Sequence, residues 1–315
     1  MLVGQAALNA LENSLEAKEE SRSAYWVAEM DSFSINAAGE FQGTALLGNM
    51  GAGPSPIRNA VHWILQTPLR RMGRKYTHFF DCLRQARAIA KGQNRQFTQD
   101  ILRQALSIAL IREYLPDLPR HTVIAVIGDG FGVTTALIQR CFPENRVIVC
   151  NLNKPLLVDL TFAHKANPDM KFALAECGDD LSAALKSDGV DVIGLRADDA
   201  ALLAGAPIGL AINILSMQEM PLQAIATYFD ALRKCPAERT MFYCANRFRK
   251  TLHDGSIISF DEYPWQSEDE ILLHDVCRWS QLTYHKSPPF WIRRGLAEDK
   301  IVVHRVVDLH KENAQ

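Results

Sequence analysis

Short, uninterrupted apolar runs alternate with helical segments after Pro119, and this alternation constrains the fold more than any other feature. The runs are rich in β-branched residues and cover 123–127, 146–150, 191–195, 210–215 and 240–244. Continuous runs of about four to eight such residues are typical of parallel strands that helices cover on both faces. The pattern therefore predicts an α/β protein with a doubly wound, mostly parallel sheet.

The segments between these runs have helical character. Helices are predicted at 133–141, 155–166, 198–204 and 221–234. In the last of these Pro221 suits the first turn, and Leu222, Ile225, Phe229 and Leu232 fall on one stripe. The alternating segment 300–309 predicts an edge strand, which would form the antiparallel end of the sheet together with 257–260.

The first third of the chain has a different pattern. We predict an accessory region at 1–116, with an amphipathic helix at 2–20, an irregular stretch at 21–56 and helices over 57–115. The clearest helix spans 98–115, with Thr98 as N-cap and Pro116 as its end. The aromatic residues of the irregular stretch predict that it is ordered, either against the core or in a homo-oligomer contact. The region 117–315 would form the second domain.

Composition excludes several classes of function. The 34 basic and 36 acidic residues give a net charge of −2, which disfavours a nucleic-acid partner, although Arg70, Arg71, Arg74 and Lys75 form a local basic cluster. Seven cysteines without CxxC spacing predict neither a disulfide framework nor a zinc site. No apolar run approaches about 18–20 residues and no signal peptide is visible, so we expect no membrane span and a cytoplasmic location.

A glycine-rich loop lies between the first predicted strand and the following helix. It contains Gly128, Gly130 and Gly132 in GxGxG spacing, where the backbone can turn tightly and approach a ligand. A dinucleotide motif would need a third glycine at position 133, which is Val133, and no GK[ST] sequence follows for a nucleotide P-loop. The spacing favours S-adenosylmethionine as the ligand over NAD or ATP. The alternative is a plain tight turn.

The later strands extend this motif into a family resemblance. The matching blocks lie in order over about 120–310 and read IGDGFG, NLNKPLLVDL, RADDAALL, INILSMQEMP, FYCANRFRKTLHDG and FDEYPW. Together they resemble the sugar O-methyltransferase family. The resemblance implies a Rossmann-like class I methyltransferase fold, S-adenosylmethionine as methyl donor with S-adenosylhomocysteine as product, and a sugar hydroxyl as acceptor.

Two positions depart from the common pattern of that fold. Val126 and Ile127 precede the first glycine where an acid is usual, and Asn151 ends the second strand where Asp or Glu usually takes both ribose hydroxyls. An amide accepts from one hydroxyl and donates to another without charge assistance, so weaker cofactor binding is expected. On this reasoning Asn151→Asp would keep or improve affinity.

The candidate cofactor-binding residues are those that end or follow the predicted parallel strands. They are Gly128, Asp129, Gly130, Gly132, Asn151, Ala197, Asp198, Ser216 and Met217. Asp129 is either a contact to the ligand's amino group or a solvated turn residue. Asp198 is either an adenine contact or a helix N-cap, and Gly178-Asp179 is the competing adenine site if 172–175 is the true third strand.

Methyl transfer to a hydroxyl needs alignment and removal of a proton. Glu219 is the first candidate base, with stabilisation of the helix after Pro221 as the alternative. Asp261, Glu262 and His285 are reserve bases, and the acceptor contacts are Asn246, Arg247, Tyr263 and Trp265, which could equally be structural. No spacing typical of metal ligands is present. His253, Asp254, His274 and Asp275 could nevertheless bind a divalent metal ion, so the sequence does not exclude one.

Two other functions compete with sugar methylation. One keeps the fold and donor but changes the acceptor to another small hydroxylated metabolite. The other is a non-catalytic partner subunit, which is suggested by the missing acids at positions 126 and 151.

Overall fold

A computed structural model of the protein describes residues 1–15, 34–35, 41–42, 55–116, 118–252, 255–285, 288–293 and 297–311. Its strands are β1 (Leu2–Val3), β2 (Ser34–Ile35), β3 (Phe41–Gln42), β4 (Val123–Ile127), β5 (Arg146–Asn151), β6 (Phe172–Ala175), β7 (Val192–Arg196), β8 (Ile208–Ile214), β9 (Met241–Arg247), β10 (Arg249–Thr251), β11 (Ile257–Ser259), β12 (Glu270–Val276), β13 (Leu282–Tyr284), β14 (Trp291–Arg293) and β15 (Val302–Asp308).

The helices are α1 (Gln5–Asn13), α2 (Pro56–Leu65), α3 (Thr67–Gly73), α4 (Phe79–Gly92), α5 (Gln99–Tyr114), α6 (Val133–Cys141), α7 (Asn153–Ala166), α8 (Gly178–Lys186) and α9 (Leu222–Lys234). Tighter 3-10 turns lie at Ala197–Gly205, Met217–Glu219 and Phe260–Glu262.

One large sheet organises the chain. Its strand order is β1-β6-β7-β5-β4-β8-β9-β15-β12. The strands from β6 to β9 run parallel, and β1, β15 and β12 pair antiparallel with their neighbours. Helices α1, α4, α5, α6 and α7 bury their apolar residues on one face, while α8, α9 and the turn at Ala197–Gly205 cover the other. The predicted Rossmann-like, doubly wound α/β fold is confirmed.

The five runs predicted as central strands all form strands of this sheet. Their central positions are almost entirely buried, as expected for strands that are covered on both faces. The strand β6 is also present, but it lies outside β7, so β7 is the neighbour of β5. The segment beside the second strand is therefore the one that ends at Arg196, not the one at 172–175.

The segment 300–309 forms an antiparallel strand at this end of the sheet, as predicted, but two other parts of that prediction were wrong. Strand β15 is not an edge strand, because β9 and β12 pair with its two sides. Its polar residues His304 and Arg305 are both buried. Strand β11 does not join the sheet but forms a separate hairpin with β10, and β12 takes the edge position instead.

The beginning of the chain contacts the sheet. Strand β1 pairs with β6, and α1 packs with Ala7 and Leu11 in the same core as α4 to α7. The predicted helix at 2–20 is described only to residue 15, and most of the irregular stretch at 21–56 lies outside the described residues. The division at 116 and 117 stays a prediction. In the described part of the chain no helix has the length and apolar character needed to cross a membrane.

A buried ion pair fixes α9 to the end of the chain. Arg233 and Asp269 have side chains 2% and 1% exposed and form two hydrogen bonds of 2.7 and 2.9 Å. Arg233 also donates to the carbonyl oxygens of Pro264 and His310. Because every charge in this cluster is matched, removing one partner would leave the other buried and uncompensated.

We expect Asp269→Asn to lower the free energy of unfolding by about 3–5 kcal/mol, because it leaves the buried Arg233 guanidinium without a counter-charge. Urea denaturation measures the loss. The matched control is Asp308→Asn, whose partner Arg239 is 64% exposed, and this variant should lose less than about 1 kcal/mol. Equal losses of stability in the two variants would contradict the importance of the buried Arg233–Asp269 ion pair.

Candidate functional site

The glycine loop connects β4 to α6 with left-handed backbone at each glycine. The φ angles of Gly128, Gly130 and Gly132 are 69°, 66° and 62°. A Cβ atom on Gly128 would lie 2.1 Å from the Ser216 Oγ atom, and one on Gly132 would lie 2.2 Å from the Asp159 carbonyl oxygen. A Cβ atom on Gly130 would meet nothing within 4 Å. Packing thus requires the outer glycines, while the middle one faces space that a ligand can enter.

Asp129 caps the helix that follows the loop. Its two carboxylate oxygens accept hydrogen bonds from the backbone N–H groups of Thr134 and Thr135, at 2.8 and 2.7 Å. This satisfies two of the unpaired donors at the start of α6. Burial raises the pKa of Asp129, and the bonds from the threonines oppose that shift. The side chain is therefore not a solvated turn residue, since it is buried and both oxygens bind the helix. A contact to the ligand's amino group stays a prediction.

Asn151, at the end of β5, binds a second buried carboxylate. Its Nδ2 atom donates to the Asp159 carboxylate at 2.8 Å, and its Oδ1 atom accepts from the Leu152 N–H. Asp159 also accepts from the Gly132 N–H at 3.2 Å. Burial and then the charge of Asp129 raise the pKa of Asp159 well above its ordinary value. The amide therefore supplies a donor that an acid at position 151 would not.

A chain of buried amide side chains joins the carboxyl ends of β4, β8 and β9. Asn213 donates to the Ile127 carbonyl oxygen at 2.7 Å and accepts from the Met217 N–H. Asn246 donates to the Asn213 Oδ1 atom at 2.8 Å and accepts from the Gln218 N–H at 3.1 Å. Asn213 and Asn246 are fully buried. Asn246 is thus a positioning residue between strands, not a surface contact.

Glu219 lies beside Gln218, the last of these amide side chains, in the turn after β8. Its Oε1 atom accepts from Gln218 at 3.2 Å and pairs with Lys250. Its Oε2 atom is buried and has no hydrogen-bond partner among the described residues, and the same holds for the Tyr263 hydroxyl. Burial raises the pKa of Tyr263, and the charges of Cys244 and Glu219 add to the shift. Glu219 and Tyr263 each thus carry a buried oxygen atom without a hydrogen-bond partner among the described residues.

Two residues that are not glycine adopt left-handed backbone at this edge of the sheet. Phe131 in the glycine loop has φ 75°, and Leu215 before Ser216 has φ 60°. Such conformations are uncommon for large side chains and cost roughly 1–3 kcal/mol each. The Leu215 N–H donates to the Ala245 carbonyl oxygen at 2.7 Å, which holds the strained turn to the neighbouring strand.

The remaining cofactor candidates lie at the same edge in different environments. Ala197 and the exposed Asp198 begin the 3-10 turn after β7. Ser216 is half-buried against Gly128. Met217 is fully buried in the core on the side of α9, so its side chain packs the turn. Gly178 and the exposed Asp179 begin α8 after the outer strand β6.

The predicted acceptor aromatics belong to a packed cluster. The Trp265 ring lies 4.8 Å from the Phe229 ring, and its Nε1 atom donates to the Phe260 carbonyl oxygen. The guanidinium of Arg305 lies 4.4 Å from the Trp265 ring centroid. Tyr263 is buried in the same cluster. These contacts support the structural interpretation of the loop for Trp265, whereas the buried Tyr263 hydroxyl has no hydrogen-bond partner among the described residues.

The structure does not place the reserve bases beside Glu219. Asp261 is exposed and lies 3.9 Å from Arg305, and the exposed Glu262 caps the turn that begins after Ser259. His285 is exposed on the β13–β14 hairpin, which packs on α2. Arg247 is half-buried at the end of β9, where its N–H donates to the Gln218 side chain at 2.8 Å.

Sequence reasoning missed Asp159, Asn213 and Lys250. The signal for the first two was a polar residue inside an otherwise apolar element, because such a residue is buried only with a partner. Lys250 gave no such signal. Within the described residues no group of three His, Cys, Asp or Glu side chains is arranged to hold a metal ion, and His253 and Asp254 lie outside those residues.

No protein-family model matches the chain. No curated protein matches it either. The resemblance to the sugar O-methyltransferase family stays a prediction.

Several solved structures are similar at low identity. An O-methyltransferase family protein from Burkholderia thailandensis is 10% identical over 98% of this chain and 94% of its own, with a TM-score of 0.37. CrArsM, an arsenic(III) S-adenosylmethionine methyltransferase from Chlamydomonas reinhardtii, is 10% identical over 62% and 67%, with a TM-score of 0.36. MtNAS in complex with MTA and tNA is 12% identical over 97% and 96%, with a TM-score of 0.34. Likeness at this level carries no information on substrate.

The Asn151–Asp159 contact yields a test of the loop's electrostatics. We expect Asn151→Asp to lower the free energy of unfolding, because it places a second carboxylate against buried Asp159. The sequence-based expectation for this substitution concerned cofactor affinity and is a separate one. The loss of stability should be about 1–3 kcal/mol near neutral pH. Since the raised pKa of Asp159 makes the folded state bind more protons, stability falls as pH rises above the ordinary value of 3.8. The added acid should steepen that fall.

Urea denaturation at about pH 5 and about pH 8 measures this effect. The control Asn151→Ala removes the amide donor without adding a charge, so its deficit should depend less on pH. If the Asn151→Asp variant is as stable as the wild type at both pH values, Asn151 is not the donor to Asp159.

Proposed function

We propose that this protein is an S-adenosylmethionine-dependent methyltransferase that acts on a sugar hydroxyl. The observation that carries the proposal is the contact between two features at one sheet edge. The glycine loop leaves open space beside Gly130, and it touches the turn that holds the buried Glu219 through the close approach of Gly128 and Ser216. A donor bound at the loop would therefore lie next to the turn that carries the candidate base.

The residues at this edge fit the proposed donor. Open space beside Gly130 allows a ligand to lie against the loop backbone. Asn151, Ala197 and Asp198 follow the next two strands of the sheet, where a nucleoside would extend. When bound, S-adenosylmethionine supplies a methyl group on a sulfonium, so the chain itself needs to orient the acceptor and take its proton.

Glu219 has the geometry for that second task. Its Oε1 atom is held by Gln218 and Lys250, which fixes the carboxylate, and its Oε2 atom has no partner among the described residues. A buried acceptor without a hydrogen bond is costly unless a ligand completes it. An acceptor hydroxyl that donates to Oε2 would be oriented and could pass its proton to the carboxylate. The Tyr263 hydroxyl, which also lacks a partner among the described residues, would then hold a neighbouring oxygen of the acceptor.

The sugar-type acceptor rests on the sequence blocks shared with the sugar O-methyltransferase family. The chain's own support is chemical, since Glu219, Tyr263 and the half-buried Arg247 offer an acceptor and donors of the kind that bind hydroxyl groups. A screen with labelled donor against neutral sugars, phosphorylated sugars and other hydroxylated metabolites tests this class. Methylation only of a metabolite that is not a sugar would overturn the acceptor and keep the reaction.

Substitution of the middle glycine tests the donor site. We expect Gly130→Val to abolish binding of S-adenosylhomocysteine, because the branched side chain would enter the open space beside the loop. Titration calorimetry measures the binding. Gly255→Val is the matched control, since Gly255 also has a left-handed φ, 84°, with nothing within 4 Å of its Cβ position. The control carries similar backbone strain and should bind normally.

If Gly130→Val binds as well as the wild type, the donor does not lie against this loop. If the wild type itself does not bind at millimolar ligand, the non-catalytic interpretation replaces the proposed enzyme.

Substitution of Glu219 tests the chemistry. We expect Glu219→Gln to reduce turnover by about 10²–10⁴-fold, the usual contribution of a positioned general base, with S-adenosylhomocysteine binding unchanged. Transfer of labelled methyl to the best acceptor of the screen measures turnover. Glu262→Gln, at an exposed turn cap, is the comparison. Nearly full turnover in Glu219→Gln, or a larger loss in Glu262→Gln, would exclude Glu219 as the base.

A further inference from the structure

A basic groove of about 1180 Å³ lies between helices α2, α3 and α4. No carboxylate lines it among the described residues, whereas six cationic side chains do. These are Arg70, Arg74, Arg84, Arg87, Lys91 and Arg95. Two of them, Arg70 and Arg74, belong to the basic cluster that stood out in the sequence. The chain carries a net charge of −2, so this positive charge is local.

Helix α4 arranges three of these cations in a row. Arg84, Arg87 and Lys91 are three and then four residues apart, which places them on one face of the helix. At a rise of about 1.5 Å per residue the row is roughly 10 Å long. Arg70 and Arg74 approach the groove from α3 and its C-terminal end. The cations therefore surround an elongated space.

Most of these charges lack a counter-ion in the part of the chain that the structure describes. Arg84 is paired with Asp81. No ion pair is formed to a described carboxylate by the others on the groove walls, namely Arg70, Arg74, Arg87 and Lys91. Burial, followed by the charges of Arg87 and Arg74, lowers the pKa of Arg70. Their mutual repulsion would be relieved by a bound anion.

Aromatic rings hold two of the guanidinium groups in place. The Arg70 guanidinium lies 3.6 Å from the Trp63 ring centroid, and that of Arg87 lies 4.8 Å from the same centroid. Arg70 also donates to the Thr67 hydroxyl at 3.1 Å. Such stacking fixes the planar donor forks before a ligand arrives, which lowers the cost of binding. Phe80, 62% exposed, adds an apolar surface to the groove.

Arg95 connects the groove to the glycine loop. It lines the groove, is 4% exposed, and its guanidinium lies 4.8 Å from the ring centroid of Phe131, the fourth residue of the loop. Gln93 donates to the Phe131 carbonyl oxygen at 3.1 Å and accepts from Arg95. Burial lowers the pKa of Arg95 to about 10, so it stays charged at neutral pH. The groove therefore borders the glycine loop at Phe131, next to Gly130.

We infer that the groove binds the diphosphate group of a small-molecule acceptor. Guanidinium groups match phosphate oxygens with paired hydrogen bonds, and several together suit more than one phosphate. The groove's volume is near the range of about 300–1,000 Å³ typical of small-molecule sites. A nucleic acid is the alternative occupant of a basic groove, and competition with RNA tests it below. This inference rests on the proposed methyltransferase function and specifies its acceptor.

Calorimetric titration with inorganic pyrophosphate and with uridine diphosphate tests the groove directly. Both probes should bind the wild-type protein, and more weakly as salt is raised. The double variant Arg87→Gln/Lys91→Gln should lose at least about tenfold in affinity, because two charge-assisted contacts are removed. Lys171→Gln/Lys186→Gln is the control, since it removes the same charge from exposed positions at β6 and α8, and should bind normally.

The outcomes separate the groove from the donor site. Absence of pyrophosphate binding at low salt, or an equal loss in the control, would overturn the inference. Displacement of pyrophosphate by a single-stranded RNA oligonucleotide that binds more tightly would identify a polyanion surface and overturn it too. S-adenosylhomocysteine should bind the Arg87→Gln/Lys91→Gln variant as it binds the wild type. Its failure to bind the wild type would instead remove the proposed function on which the inference rests.

Discussion

The buried amides Asn213, Asn246 and Gln218 are the interaction on which the site depends. At the ends of the parallel strands the backbone groups no longer pair with one another, because the strands diverge into loops and turns. The amide side chains form hydrogen bonds with these backbone groups instead. The Asn213 side chain holds the last carbonyl of β4, and Asn246 holds Asn213 and the turn after β8. Since a buried polar group is costly without a partner, the three amides have few alternative arrangements. They bring the Glu219 turn against the glycine loop.

The glycine loop is packed closely at both of its ends, by the turn after β8 and by α7. The Ser216 side chain fills the space that a Cβ atom on Gly128 would need, and the backbone of α7 does the same at Gly132. Asp129 and Asp159 then satisfy the donors at the start of α6 and in the loop, at the cost of two buried carboxylates with raised pKa values. Asn151 offsets part of that cost. The open side at Gly130 is what remains for a ligand.

The sheet could be predicted in large part from the sequence, and the site only in outline. Strand β4 was predicted at its observed bounds, because an apolar run with a glycine end has one simple arrangement in an α/β protein. The interior place of β15 could not be predicted, since the burial of His304 and Arg305 depends on partners from distant strands. For the same reason Trp265 and Tyr263 resembled a binding surface, although Trp265 packs against Phe229 and Arg305.

The sequence by itself determined the α/β class, the glycine loop and the residue types at each strand end, because these follow from local periodicity and from the backbone freedom of glycine. Only the tertiary structure decided which of those residues face one another. It brought Asn151 to Asp159 on α7, and it left one oxygen of Glu219 buried without a partner among the described residues. It also gathered Arg70, Arg87 and Arg95 from three segments around one groove. Such contacts depend on helix packing and on charge burial between distant segments, and no local pattern records them.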